Sequence, residues 1–191
     1  MALPQYPIPY GMRQVKVTAF TDATATVYAA SSVSLPYGQT FTFADTEEFA
    51  TLRGDDTVVT VHGQGTVVDW ELEAGGLSLE AYAVMAGGQV VTSGVTPNIK
   101  KTYSKYATDP TNAALYTRPF FKCEGRAISD SGGDIHLVCY RCRATDDIKG
   151  EFKDGEFWTT GAKGTGLGSL VAADLNKAYD FVQNETPVVI P

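Results

Sequence analysis

Trp70 to Gly88, WELEAGGLSLEAYAVMAGG, changes its hydrophobic period halfway along. Val68, Trp70 and Leu72 fall on one face of an extended chain, with Asp69, Glu71 and Glu73 on the other, which is the alternation of a half-buried strand. Gly75-Gly76 interrupts that pleat. From Leu77 to Ala86 the spacing becomes helical, with Leu79, Tyr82, Ala83 and Ala86 on one stripe and Glu80 in the first turn. Gly87-Gly88 supplies the left-handed stop. Val84 and Met85 lie off the stripe, so the helix is apolar nearly all round and needs cover on more than one side. One cover is expected from the chain's own sheet and another from a neighbouring subunit.

The flanking sequence supplies strands. Upstream, Arg13–Phe20 alternates, a second strand is expected near Thr26–Ala30, and Thr40–Ala44 puts Phe41 and Phe43 on one face. Thr46–Asp56 is acidic and without period, and reads as a loop ending in a turn. Thr57–His62 and Thr66–Glu73 read as a hairpin joined through Gly63-Gln64-Gly65. Downstream, Gln89–Val95 pairs with Ile99–Lys105, Pro119–Ile128 with Asp134–Arg143, and Ile148–Lys153 with Glu156–Ala162 across Asp154-Gly155. Gly164–Ser169 reads as a mobile bend, and Val171–Asn184 as a short helix or an extended tail. Residues 1–11, with Pro4, Pro7 and Pro9, read as an arm that carries Tyr6 and Tyr10 rather than as part of a sheet. The expectation is one mainly β domain over residues 1–191, with an N-terminal arm over 1–11 and a C-terminal tail over 171–191.

Composition agrees. Hydrophobic residues make up 43% of 191, enough for a sizeable core, and 10 Tyr, 9 Phe and 19 Gly favour short strands over helices. The net charge of −7, from 15 basic and 22 acidic side chains, opposes phosphate binding, so specific DNA recognition is not expected. No apolar run is long enough for a membrane span and the N-terminus lacks secretory features, so cysteines are expected as free thiols.

No catalytic constellation stands out. His62 and His136 sit inside strands without a nucleophile elbow nearby. Cys139 and Cys142 have C-x-x-C spacing, but i and i+3 on a strand face opposite sides, whereas a zinc knuckle needs a turn. A turn at Ser129–Gly133 would set Cys123 opposite Cys139. The GTGLGS of residues 164–169 lacks the following basic residue and βαβ context of a phosphate loop. Neither a cofactor nor a metal is expected.

In order and spacing, several fragments resemble the major tail tube proteins of long-tailed bacteriophages, especially those of actinobacteria. They are Phe41-Thr42-Phe43, Leu52-Arg53-Gly54-Asp55-Asp56, Trp70–Gly88, Arg118-Pro119-Phe120-Phe121-Lys122 and Glu124-Gly125-Arg126. Ser129–Gly133, Gly150-Glu151-Phe152, Asp154-Gly155-Glu156-Phe157 and Tyr179-Asp180-Phe181 continue the series. The resemblance implies a β-sandwich or half-barrel of antiparallel strands with one flanking short α-helix. It also implies hexameric rings whose strands join one barrel across subunits, stacked into a tube through which DNA passes. With four strands per subunit the barrel would be about 45–50 Å across at the backbone. Asp69, Glu71 and Glu73 are then expected to face the lumen and repel phosphate. Tyr6, Tyr10, Glu47, Glu48, Arg53, Asp55, Asp56, Tyr82, Met85, Tyr179 and Phe181 are expected at subunit contacts. The implied partners are further copies of the chain, a tape measure protein, a tail terminator and a baseplate or distal tail protein, in the virion tail after assembly in the host cytoplasm. The alternatives are another ring protein of the tail or head completion, such as a terminator, and a small β-sandwich carbohydrate-binding or hydrolytic module.

Overall fold

The computed structural model describes residues 7–151 and 153–190. Its organising strand is β4 (Thr57–Gly75), along which Val68, Trp70, Leu72 and Ala74 are at most 2% exposed while Asp69, Glu71 and Glu73 face solvent. Gly76, at φ +89°, turns the chain out of the strand. Ser78 caps helix α1 (Leu79–Ala86) by accepting from the Ala81 N–H at 3.3 Å, and Gly87 at φ +76° ends it.

Around β4 the chain builds β1 (Pro9–Ala19), β2 (Val33–Leu35), β3 (Gly38–Gly54), β5 (Gln89–Ser93), β6 (Lys100–Ser104), β7 (Phe121–Ser129), β8 (Asp134–Ala144), β9 (Lys149–Gly150), β10 (Thr159–Leu167) and β11 (Tyr179–Asn184). One antiparallel sheet runs β2-β1-β7-β8-β10-β4-β3, with β11 beside β8 and β9 beside β10; β5 and β6 form a separate hairpin. The architecture is mainly β and antiparallel, a sandwich-like arrangement with one short helix. The main sheet curls until its β3 end lies over its β1–β7 end, where a Cβ at Gly125 would stand 2.5 Å from the Phe41 ring. β1 and β3 touch without pairing, so the sheet stays open. Val15, Val17, Trp70, Leu72, Phe121 and the three cysteines fill the enclosed space, with Phe121 edge-on to Trp70 at 5.5 Å.

The helix departs from its expected orientation. Its buried residues are Ala81, Met85 and Ala86, so the inward stripe runs one position away from Tyr82. Met85, expected at a subunit contact, is 1% exposed inside the chain's own core. Tyr82, expected there too, stacks edge-on against Tyr103 at 5.0 Å. The second cover is intramolecular: the β5–β6 hairpin lies on the helix, and Tyr103 Oη donates to the Gly87 carbonyl at 2.7 Å.

Other boundaries shift for physical reasons. Pro9 and Tyr10 open β1 and stand opposite Ser129 and Ile128, so the sheet begins inside the expected arm. Pro9 is tolerated because it is the first residue of an irregular strand end. The second strand lies at β2, while Tyr28 makes only an isolated bridge to Phe20. The stretch expected as an acidic loop is the outer half of β3. Gly63-Gln64-Gly65 is not a turn: Glu47 pairs with Thr66 and Phe49 with Gly63, so Gln64 and Gly65 bulge opposite Glu48 within one continuous strand. The true turn is Asp55-Asp56, both at positive φ, the two-residue geometry that suits strand twist. The expected bend at Gly164 is strand β10, where a Cβ on Gly164 would meet the Arg143 carbonyl oxygen at 2.0 Å. The pairing of β7 with β8 matches expectation, Cys123 opposite Cys139 included.

The C-terminal segment holds one 3-10 turn (Ala172–Asp174) and is otherwise extended, but it is paired and packed instead of hanging as a tail. After β11 it crosses the outer face of β8, β7 and β1, where Ile190 is only 2% exposed. The Ile190 N–H donates to Gln14 Oε1 at 3.2 Å and its carbonyl accepts from Lys16 Nζ at 2.6 Å.

Candidate functional site

Beyond the Asp45–Val68 pair, β3 and β4 leave the body as a two-stranded ribbon reaching on the order of 30 Å. Every residue from 45 to 66 is exposed or partly exposed. Cross-strand partners share a face, so Phe49, Thr51 with Val61, and Arg53 with Val58 lie together. Ala50 with His62 and Leu52 with Thr60 lie on the reverse, joined at a second irregularity by Val59, whose side chain is 3.4 Å from where a Cβ on Gly54 would stand. Phe49, Leu52, Val58, Val59 and Val61 are 52–62% exposed. A two-stranded hairpin without a packed face is marginal in water, and exposed apolar side chains in a cluster mark an interaction surface. Glu47, Glu48, Arg53, Asp55 and Asp56 are all on this ribbon and solvent-exposed.

The ribbon also extends an open edge. β3 ends the sheet order among the described residues, and on its inner face Phe43 lies 5.4 Å from Tyr179 and 5.2 Å from Phe181. Tyr179 Oη donates to Asp45 at 3.4 Å. The Tyr179 ring therefore belongs largely to its own chain, whereas Phe181 remains 58% exposed. Tyr10 is 70% exposed at the start of β1, and Tyr6 lies outside the described residues.

Asp69, Glu71 and Glu73 stand on the outer face of β4, opposite Ala44, Thr42 and Thr40 on one side and Thr165, Lys163 and Gly161 on the other. The face is flat and polar. Glu71 pairs with Lys163 at 2.8 Å, which raises the lysine's pKa, and Asp69 accepts from Thr46 Oγ1 at 3.1 Å. Asp146, Asp147 and Glu151 extend the acidic character along an open groove of about 610 Å³.

A second polar assembly is buried. The Asp134 side chain has no exposed surface, and it accepts from Arg126 Nε (2.6 Å), Asn184 Nδ2 (2.8 Å) and the Val188 N–H (2.7 Å). Burial alone would raise its pKa; these donors, with His136, hold it below the usual carboxylate range. His136 Nε2 is 3.3 Å from Asp134 and 3.0 Å from the Val188 carbonyl oxygen, with Nδ1 3.5 Å from Glu124. This network fastens the C-terminal segment to the sheet. The expected β7–β8 register already placed Arg126 opposite His136, a charged outer face that strand spacing could have revealed.

The histidine and carboxylates of the buried network are spent on one another and on backbone groups. Cys139 and Cys142 are both fully buried and share the interior, contrary to the simple alternation expected. The bulge that sets Tyr140 and Arg141 opposite Lys122 restores the inward direction. Burial raises the pKa of Cys123 and Cys142, which makes their thiols unreactive. Among the described residues no group of three or more His, Cys, Asp or Glu is placed to hold a metal ion. No described helix is long and apolar enough to cross a membrane.

No protein-family model matches the chain, and no curated protein matches it either. The site's own geometry therefore carries the functional argument. It consists of an exposed apolar ribbon, an open sheet edge continuous with it and a flat acidic face, all arranged around β3 and β4.

Proposed function

We propose that this chain is the self-assembling structural subunit of a bacteriophage tail tube, forming hexameric rings that stack into a hollow conduit for DNA. The observation that carries the reading is the protruding β3–β4 ribbon, whose apolar side chains stay exposed among the described residues. A free strand edge beside it supports the same conclusion, since assembly removes edges that would otherwise pair indiscriminately. Strands of neighbouring copies extend the open sheet into a barrel, and the outer face of β4 with Asp69, Glu71 and Glu73 lines its lumen. There the carboxylates repel phosphate, and DNA slides without sticking. The tape measure protein inside the tube, a terminator at one end and a distal tail or baseplate protein at the other are its further partners.

Immunogold labelling of purified virions with antibody to this chain tests the assignment. Label along the whole tail is the expected result. Label confined to the head–tail junction would make the chain a terminator, and tails without label would remove the proposal.

A further inference from the structure

The ribbon needs a receiving surface, and the charge of the chain selects one. Residues 45–56 hold Asp45, Glu47, Glu48, Asp55 and Asp56 against the single Arg53. A surface that accepts this ribbon must offer apolar side chains and lack carboxylates. Several exposed apolar residues fail that condition. Phe181, Val182, Val188 and Val189 lie beside Asp180 and Glu185, Phe157 follows Glu156, and Ile8 accepts from the N–H of Asp130.

The β5–β6 hairpin meets it. From Ala81 to Thr108 the sequence contains no acid and three lysines, Lys100, Lys101 and Lys105. The neighbouring Glu80 is already paired with Lys101. Strand pairing assigns the two faces of the hairpin. Val90 with Tyr103 and Thr92 with Lys101 turn toward α1, as the Tyr82–Tyr103 and Glu80–Lys101 contacts require. Val91 with Thr102 and Ser93 with Lys100 turn outward. Val91 is 50% exposed, and Val95 and Ile99 at the hairpin's end are 79% and 53% exposed. The outward face is thus apolar and basic, where the ribbon is apolar and acidic.

We infer that the distal β3–β4 ribbon of one copy docks on the outward face of the β5–β6 hairpin of a second copy. This inference rests on the tube-subunit reading and adds the receiving surface. Phe49 and Val61 pack against Val91, Val95 and Ile99, while Glu47, on the same ribbon face as Phe49, approaches Lys100. Donor and acceptor are different parts of the chain, so the contact is heterologous and propagates into a closed ring or an open filament instead of stopping at a dimer. Charge selects the partner and steers the encounter, and the apolar side chains supply the affinity.

Complementary charge reversal tests the contact. One variant carries Glu47→Lys, the other Lys100→Glu. Both positions are exposed, and circular dichroism with urea unfolding checks that both variants fold. In sedimentation velocity at low salt, each variant alone should need at least tenfold more protein than the wild type to assemble. An equimolar mixture should assemble like the wild type, because each reversed ribbon then meets a reversed hairpin. If the lysine-reversed variant assembles as readily as the wild type, another surface receives the ribbon; the contact is then wrong while the tube reading stands. A mixture of folded variants that stays monomeric also overturns it. Wild-type protein that never assembles would remove both the contact and the reading it rests on.

Discussion

Asp134 holds a charge where there is no water, and its cost is offset by four donors drawn from β7, β8, β11 and the C-terminal segment. Removing that charge leaves Arg126 without its carboxylate, so Asp134→Asn should cost about 3 kcal/mol of stability at pH 7, measured by urea unfolding. The sign with pH follows from the depressed carboxyl. Its contribution is complete above the ordinary carboxylate pKa, near pH 4, and is lost as pH falls through the lower native value. The wild type should therefore lose stability between pH 4 and pH 2 more steeply than the Asn variant; parallel curves would show that the carboxylate is not the clamp. Individual residues were legible where strand parity alone decided the outcome. Val68, Trp70 and Leu72 faced inward as spaced, and Cys123 met Cys139. Parity failed at Cys142 because the Tyr140–Arg141 bulge lies between it and Cys139, and a bulge leaves no mark in the sequence of the strand that it redirects.

The β3–β4 ribbon shows why an element can hide from its own sequence. Alternation marks a strand only when one face is buried, and both faces of this ribbon meet solvent, so residues 46–56 had no period to display. Gly63 and Gly65 then imitated a turn, since glycine serves turns and bulges alike. The same error occurred in β10, where glycines suggested a bend although Gly164 lets the strand pass close to the Arg143 backbone. The helix was legible in extent through Ser78 and Gly87 but not in rotation, because apolar residues on nearly every side fix no single stripe. Exposed apolar residues on the ribbon contribute little to the fold of the free chain. Replacing Phe49 and Val61 with Thr should leave the urea midpoint within about 0.3 M of the wild type, a surface-sized effect. The same pair should abolish higher-order species in sedimentation; assembly unchanged by it would place the interface elsewhere.

For the whole molecule, composition and hairpin signals were enough for a mainly β, antiparallel fold with one short helix. They could not show that the sheet curls onto itself, because curling depends on close approaches such as Phe41 over Gly125, which join distant segments. Assembly adds one more layer of the same physics. In the proposed tube, free edges and exposed apolar side chains would find their partners in other copies. Lysine substitution of Asp69 and Glu73, the acids of the β4 face that, unlike Glu71, pair with no lysine among the described residues, should slow DNA ejection while leaving tails of normal length. Normal ejection kinetics would put that face on the outside of the tube. The most direct measurement is electron microscopy of the purified, concentrated protein by negative stain. The account predicts sixfold rings and hollow tubes with a lumen wide enough for duplex DNA. A field of separate monomers at every concentration would contradict it.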